Sequence, residues 1–339
     1  MANKKLSETT GATSYDVAEL AGVSQSAVSR AFRKGASVAP KTREKIMRAA
    51  KQLGYQPNAF ARGLITKRTN LIAVVISNLT NLNYPEVLAE LTQRLSAVGN
   101  RVLLFSLAAE SDVDEVLDQV WPYRVDGAIV AARLTDEQIE QFNDRGTPII
   151  LYNRVGDTAP AASVCCDSAS GERELVKHLL AAGHRAFGII AGPEDSYVGE
   201  ERLASACRSL EQAGITPWIH RGRFDYESGK DGLRVLLEQS ANALDAVICL
   251  NDVMAIGAID CARNLFDLTI PDDLSIVGFD GVGPATWLGY QLTTVRQPVR
   301  RMTQAAVSML LERVENPGMI PEQRLFGGEF VTGRSARLA

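Results

Sequence analysis

Between residues 70 and 280 the chain repeats one pattern: a short run of Val, Ile and Leu, then a stretch with helical spacing. LIAVVIS, RVLLFS, DGAIVAA and PIILY form a first set, with helix-like segments such as PEVLAELTQRLSAVG and TDEQIEQFNDRG between them. AFGIIAG, WIHRG, DAVICL and LSIVGFD form a second set. Parallel strands need long crossovers, so this alternation predicts doubly wound parallel sheets. Two sets in about 270 residues predict two similar subdomains. Ligands of open α/β sheets sit beyond the carboxyl ends of the strands, so two facing sheets define a cleft for a small molecule.

The first 68 residues are chemically different from the rest. The whole chain has a formal net charge of -4, which by itself argues against nucleic acid as a partner. Residues 1–68, however, hold 13 Lys and Arg against 4 Asp and Glu, a net of +9. The remaining 271 residues have a net of -13. A basic block confined to a small N-terminal unit is the footprint of phosphate binding, with affinity that falls steeply as salt rises.

Within that block, YDVAELAGVSQSAVSRAF (residues 15–32) reads as two short helices around a glycine turn. Val17, Ala18 and Ala21 share one face, with Ser14 as the expected N-cap. Gly22 ends the helix because glycine alone takes a positive φ without a Cβ clash. Ser24 caps a second helix whose inward face is Ala27, Val28 and Ala31. Gln25, Ser26, Ser29, Arg30 and Arg33 then point outward, a polar face without an acid. In a helix-turn-helix such residues lie against base edges in the major groove, although a plain αα-hairpin has the same outline. A third helix is expected over PKTREKIMRAAKQL, with Pro40 at its first position and Gly54 as its stop. Its buried stripe is Ile46, Ala49, Ala50 and Leu53, and Lys41, Arg43, Lys45, Arg48 and Lys51 stay in water.

Residues 15–30, the ASVAPKTREKI segment and LGYQPNAFARGLITKRTNLIAVV together resemble the lactose-repressor (LacI/GalR) family of bacterial transcription regulators, and the likeness runs on to the C-terminus. One departure is Ala39, where the family often has a serine cap; the loss is about 1 kcal/mol, partly offset by Pro40. The resemblance implies a small all-α helix-turn-helix DNA-binding domain over residues 1–57 (core 14–57) and a hinge helix over 58–68. An α/β effector-binding and dimerisation domain like the periplasmic sugar-binding proteins follows over 69–339. Its N-subdomain is expected at about 69–166 and 298–326, and its C-subdomain at about 167–297 and 327–339, with crossings near Cys166, Gln297 and residue 327.

By the same resemblance Gln25, Ser26 and Arg30 match base-contacting positions. Tyr15, Ser24, Ser29 and Asn58 match positions that hold the DNA backbone, contacts that position the protein without specifying sequence. Leu64 matches the hinge leucine that wedges into a central base step of the minor groove. The segment around it is too short to be a stable helix alone. The implied partners are double-stranded operator DNA, a second copy of the chain and a small-molecule effector, a sugar, sugar acid or related metabolite. The helix expected over residues 84–98 offers Val87, Leu88, Leu91 and Leu95 to the core, and Glu86, Glu90 and Arg94 to a partner.

Strand ends supply the expected effector-binding residues: Tyr84, Arg133, Asn153, Ser196, Arg202, Phe224, Asn251 and Asp280. Arg154 and Asp252 stand beside them. An aromatic gives a ring face, and Arg, Asn and Asp give paired hydrogen bonds to hydroxyls or a carboxylate. Arg202 and Asp280 match family positions that usually touch effector. Two arginines beyond Arg202 lean towards an acidic ligand.

Enzyme readings find little support. GFDGVGPATWLG does not fit G-x-G-x-x-G, and P-loop, G-x-S-x-G and H-E-x-x-H patterns are absent. His178, His184 and His220 have no ligand spacing, so neither metal nor cofactor is expected. Five cysteines, an odd number, sit in strand or helix patterns and fit a reducing cytoplasm. The sequence has no signal peptide and no apolar run of transmembrane length, which separates it from exported look-alikes and predicts a cytoplasmic, operator-bound protein with no membrane contact. The runner-up is a cytoplasmic sugar-binding protein without DNA regulation. It leaves the net of +9 in 68 residues unexplained.

Overall fold

The structure, a computed structural model, describes residues 12–32, 36–56, 68–77, 79, 81–107 and 112–339. The chain divides into two compact units, Met1–Thr69 and Asn70–Ala339. In the first unit α1 (Ser14–Ala21), α2 (Gln25–Ala31) and α3 (Pro40–Leu53) enclose a core of Val17, Ala18, Val28, Ala31, Ile46, Ala49 and Ala50. Phe32 and Tyr55 close it edge to face at 5.6 Å between ring centroids.

Caps explain where these helices start and stop. Thr13, not Ser14, is the N-cap of α1: its backbone N–H and hydroxyl both donate to Asp16 at 2.7 Å, and the Thr13 hydroxyl accepts from the Asp16 amide. The Thr-x-x-Asp spacing makes this a reciprocal capping box, which a serine one residue later lacks. Gly22 ends α1 at φ 61, and the Ser24 hydroxyl accepts from the Ala27 amide at 3.2 Å. Ala39 makes no side-chain cap, and Pro40 stands first in α3. Two expectations for α3 change. Leu53 lies on the surface, 37% exposed, because it ends the helix one turn beyond the packed stripe. Arg43 is not free in water: its guanidinium donates to the carbonyls of Ala31 and Ala36, satisfying the C-terminal end of α2.

The second unit begins with β1 (Leu71–Ser77), α4 (Tyr84–Ala97), β2 (Arg101–Leu107), α5 (Val113–Val120), β3 (Gly127–Ala131), α6 (Asp136–Asp144), β4 (Ile149–Tyr152) and β5 (Ala162–Asp167). It continues with α7 (Ser168–Ala181), β6 (Phe187–Ala191), α8 (Tyr197–Gln212), β7 (Trp218–Arg221), α9 (Tyr226–Gln239), β8 (Ala246–Cys249), α10 (Asp252–Leu265), β9 (Ser275–Asp280) and β10 (Thr293–Arg296). Helix α11 (Val299–Glu315) and strands β11 (Gln323–Gly327) and β12 (Glu329–Val331) complete it. Strand order is β11-β5-β4-β3-β1-β2 in one sheet and β12-β10-β9-β8-β6-β7 in the other. Neighbours run parallel throughout except β10 and β12. The chain passes between sheets after β5, after β10 and after β11.

Both faces of the inner strands of the first sheet are buried, which explains their unbroken apolar runs, while the edge strands β2 and β11 stay partly exposed. On β1, Ile72, Val74 and Ile76 join one core, while Ala73 and Val75 join the other with Leu117, Ile139 and Phe142 from α5 and α6. The period of two sorts one strand between two cores. Strands β5, β10, β11 and β12 extend the sheets beyond those expected. Glu90 and Arg94 of α4, expected to face a partner, are joined within the chain: Arg94 and Arg300 both donate to Glu90. The five cysteines are free thiols.

Glycines set the closest helix approach. A Cβ on Gly229 of α9 would collide with the backbone of Met254 in α10, and one on Gly257 of α10 would collide with the Tyr226 carbonyl. Gly257→Ala is therefore expected to cost about 1–3 kcal/mol of stability, read as a lower Cm in urea, because packed backbones cannot shift as a side chain can. Gly318→Ala, in open space, is the control and leaves Cm unchanged.

One core group lacks compensation. Glu172 on α7 is fully buried and neither carboxyl oxygen has a hydrogen-bond partner. Burial pushes its pKa up from 4.5 to about 8; Arg202 opposes the rise and Asp280 adds to it. From pH 4.5 to about 8 the unfolded chain has released this proton while the folded chain keeps it, so the group's contribution to stability falls as pH rises. Glu172→Gln mimics the protonated form. Its Tm should exceed that of the parent by a margin that widens between pH 5 and 8, each kcal/mol being worth about 2–4 °C; a margin independent of pH would contradict the assignment.

Candidate nucleic-acid interface and ligand cavity

The N-terminal end of α2 presents the residues that the sequence singled out. Ser26, Ser29 and Arg30 are exposed, Gln25 is half-buried, and Tyr15 on α1 is 72% exposed. Ser24 spends its hydroxyl on the helix cap and on a 3.0 Å hydrogen bond with the Ser26 hydroxyl. Gln25 leans back, its Nε2 donating to the Ser14 hydroxyl at 3.3 Å, and this orients the amide without using its Oε1. Two of the acids of this unit are engaged, Asp16 in the capping box and Glu44 with Arg48 at 3.1 Å, while Glu19 on α1 is exposed. What remains is a helix end with free amides, hydroxyls and a guanidinium, the inventory that reads bases and phosphates. Asn58, Leu64 and Arg33 lie outside the described residues.

In the second unit a cavity of about 390 Å³ opens at the carboxyl ends of the strands of both sheets. It gathers Tyr84, Asn153, Arg154, Ser196, Arg202, Phe224, Asn251 and Asp280, all named from strand ends. At its centre Arg202 of α8, buried, donates to Asp280 Oδ1 at 2.9 Å, to the Leu250 carbonyl at 2.7 Å and to the Ser168 hydroxyl at 3.4 Å. Its guanidinium carbon lies 3.8 Å from the centroid of the Phe279 ring. Asp280 ends β9 at φ 118; burial raises its pKa, and Arg202 and Gln297 oppose the rise.

A relay of amides fixes this pair. The Cys166 amide donates to Asn153 Oδ1 at 2.8 Å, so Asn153 Nδ2 is left to donate to Gln297 Oε1 at 2.8 Å. Gln297 Nε2 then donates to Asp280 Oδ1 at 2.7 Å. Because a backbone N–H can only donate, both amide orientations follow from the first bond. Gln297, which follows β10, is expected from the sequence only as a crossing, because the short strand that aims it into the cavity is not legible there. Around these groups, Phe224 holds φ 60 and turns its ring over Gly192, where a Cβ would collide with it. Asn251 caps α10 and donates to the Phe224 carbonyl at 3.1 Å. Ser196 caps α8. Ser77, Asn81, Asn83, Asp195, Arg223 and Asp225 also line the cavity and stand outside the expected set.

Two expectations fail. Arg133 does not line the cavity; it is exposed and pairs with Asp157 at 3.4 Å, beyond the end of β3. Asp252 points away from it, accepting from Thr294 Oγ1 at 2.6 Å and from the Val282 amide at 2.8 Å. Burial, then the charge of Asp280, pushes its pKa up to about 7. Among the described residues no group of His, Cys, Asp and Glu is disposed to hold a metal.

Comparison with known proteins matches both units. A family model described as "Bacterial regulatory proteins, lacI family" covers residues 13–58, and one described as "Periplasmic binding protein-like domain" covers residues 176–336. The chain is 34% identical to the HTH-type transcriptional regulator DegA of Bacillus subtilis, over 86% of this chain and 88% of that one. It is 33% identical to the HTH-type transcriptional repressor PurR of Proteus mirabilis, over 90% and 91%. Among solved structures, the Lac repressor dimer bound to operator and the anti-inducer ONPF superposes with a TM-score of 0.86 at 28% identity, over 97% of this chain and 100% of that chain. A CelR–cellobiose complex gives a TM-score of 0.72 at 28% identity, over 96% and 99%. The chain therefore belongs to the lacI family of bacterial regulatory proteins and is a DNA-binding transcription regulator.

Proposed function

We propose that the protein is a repressor-type switch that grips a near-palindromic operator as a homodimer and is controlled by a small neutral sugar in the cavity around Arg202 and Asp280. The observation that carries the first half is the acid-free, solvent-facing start of α2 on a unit with a net of +9. Two copies related by a two-fold axis present two such helix ends to successive major grooves. In this reading Gln25, Ser26 and Arg30 read bases, and Tyr15, Ser24, Ser29 and Asn58 hold the backbone. Leu64 wedges between base pairs. DNA binding of this kind takes place in the cytoplasm of a bacterium.

The effector class follows from charge. Three arginines line the cavity, Arg154, Arg202 and Arg223, against three aspartates, Asp195, Asp225 and Asp280. Arg202 is bonded to Asp280, and Arg223 to Asp225 at 3.1 Å. Arg133, which had leaned the reading towards an acid, is outside. A balanced lining with Ser77, Asn81, Asn83, Asn153, Ser196, Asn251 and Gln297 offers hydrogen bonds to hydroxyls and no surplus cation for a carboxylate. Phe224 supplies the flat face for a sugar ring.

Gln25→Ala and Ser26→Ala should relax operator preference in a random-library selection, each costing about 1–3 kcal/mol of discrimination while phosphate-driven, salt-sensitive binding persists. Unchanged preference would remove α2 as the reading element. In a thermal-shift screen, neutral sugars should stabilise the protein and sugar acids should not. Phe224→Ala should weaken the stabilising sugar about tenfold or more and leave operator affinity without sugar unaltered.

A further inference from the structure

Behind the wall that carries Asp280 is a second concavity of about 350 Å³, at the edge of the sheet where β10 meets β12. Arg296 and Arg334 both line it, with Thr286, Thr332 and Gln291. No carboxylate does. Neither guanidinium makes an ion pair or hydrogen bond among the described residues, in contrast to Arg202 and Arg223 across the wall. Glu329 stands opposite Arg296 in the β10–β12 register and would be its natural partner. The two form no ion pair, and the stem of Arg296 lies against Gly281, where a Cβ would collide with it.

We propose that this concavity is a second ligand site, for a small dianion such as a phosphate monoester or a dicarboxylate. Two unbonded guanidiniums in one recess match two negative charges, and planar forks suit phosphate and carboxylate oxygens alike. The Thr332 hydroxyl and the Gln291 amide add donors, while the Thr286 hydroxyl already donates to the Gly283 carbonyl at 2.8 Å, and a recess of this size suits a small metabolite. The site shares its wall with the effector cavity. Asp280 faces the cavity, Gly281 lines the recess, and Val282 is tied by its amide to Asp252, which also accepts from Thr294 of the recess. An anion that clamps Arg296 to Arg334 thus acts on the segment that positions Asp280, a second input to the same switch.

The test is thermal shift on the full chain with inorganic phosphate, with succinate, and with sodium chloride at matched ionic strength. Wild type and Arg223→Gln, which alters the effector cavity alone, should both gain Tm with about 10 mM of at least one dianion beyond the chloride control. Arg296→Gln/Arg334→Gln should need at least about tenfold more anion for the same shift; both side chains are exposed and make no hydrogen bond or ion pair among the described residues, so the double variant folds as the parent does. A response to phosphate only assigns a phosphate ester, and a response to succinate a dicarboxylate. Equal shifts in the double variant and wild type, loss of the shift in Arg223→Gln, or no shift beyond chloride with either dianion would overturn the proposal.

Discussion

The second unit is organised around one buried ion pair. Removing a guanidinium and a carboxylate from water costs several kcal/mol per ion, and only good geometry with full hydrogen bonding offsets it. Arg202 meets that condition with Asp280, the Leu250 carbonyl, the Ser168 hydroxyl and the Phe279 ring, contributions drawn from β9, the end of β8 and α7. Glu172 and Asp252, buried near the same pair, show the limit of this arrangement. One cation does not neutralise three carboxyls, so burial raises both pKa values, to about 8 and about 7. A ligand that enters the cavity meets a pair already satisfied on its protein side, and hydroxyls fit the remaining lone pairs better than a further charge does.

Much of this was legible in the sequence because it rests on periodicity. The apolar runs became β1 to β4 and β6 to β9, and Gly22 and Gly54 ended their helices at φ 61 and 63. Strands β10 and β12 escaped notice because three or four residues, polar as often as apolar, carry no period. Gln297 is legible as a crossing between the subdomains but not as a residue of the cavity. Thr13 and Ser14 are both good caps by type, and what separates them is the partner at i+3, Asp16, which only the reciprocal spacing brings out.

The end of a strand names a residue but not a direction. Asn251 and Asp252 are adjacent, yet one faces the cavity and the other the back of the sheet. Asn251 is the extended N-cap of α10 and Asp252 its first helical residue, so the change from extended to helical backbone between them turns one side chain into the cavity and the other towards Thr294 and Val282. Arg133 fails differently. It lies beyond β3, where no ladder holds the chain, and an exposed aspartate outcompetes the cavity for it.

The relay from Cys166 through Asn153 and Gln297 to Asp280 gives the switch its physical content. Cys166 lies just before the first crossing between the sheets and Gln297 at the second, so Asp280 is linked, directly through Gln297 and onward through Asn153, to the first two crossings. A ligand changes an equilibrium only through unequal affinity for its two states. Oriented amides could supply that inequality in the proposed switch, because each donor in the series has one acceptor and its geometry depends on both crossings. In the proposed function, a ligand hydroxyl that replaced Gln297 on Asp280 would uncouple the carboxylate from both crossings, with no contact to DNA required at the cavity itself.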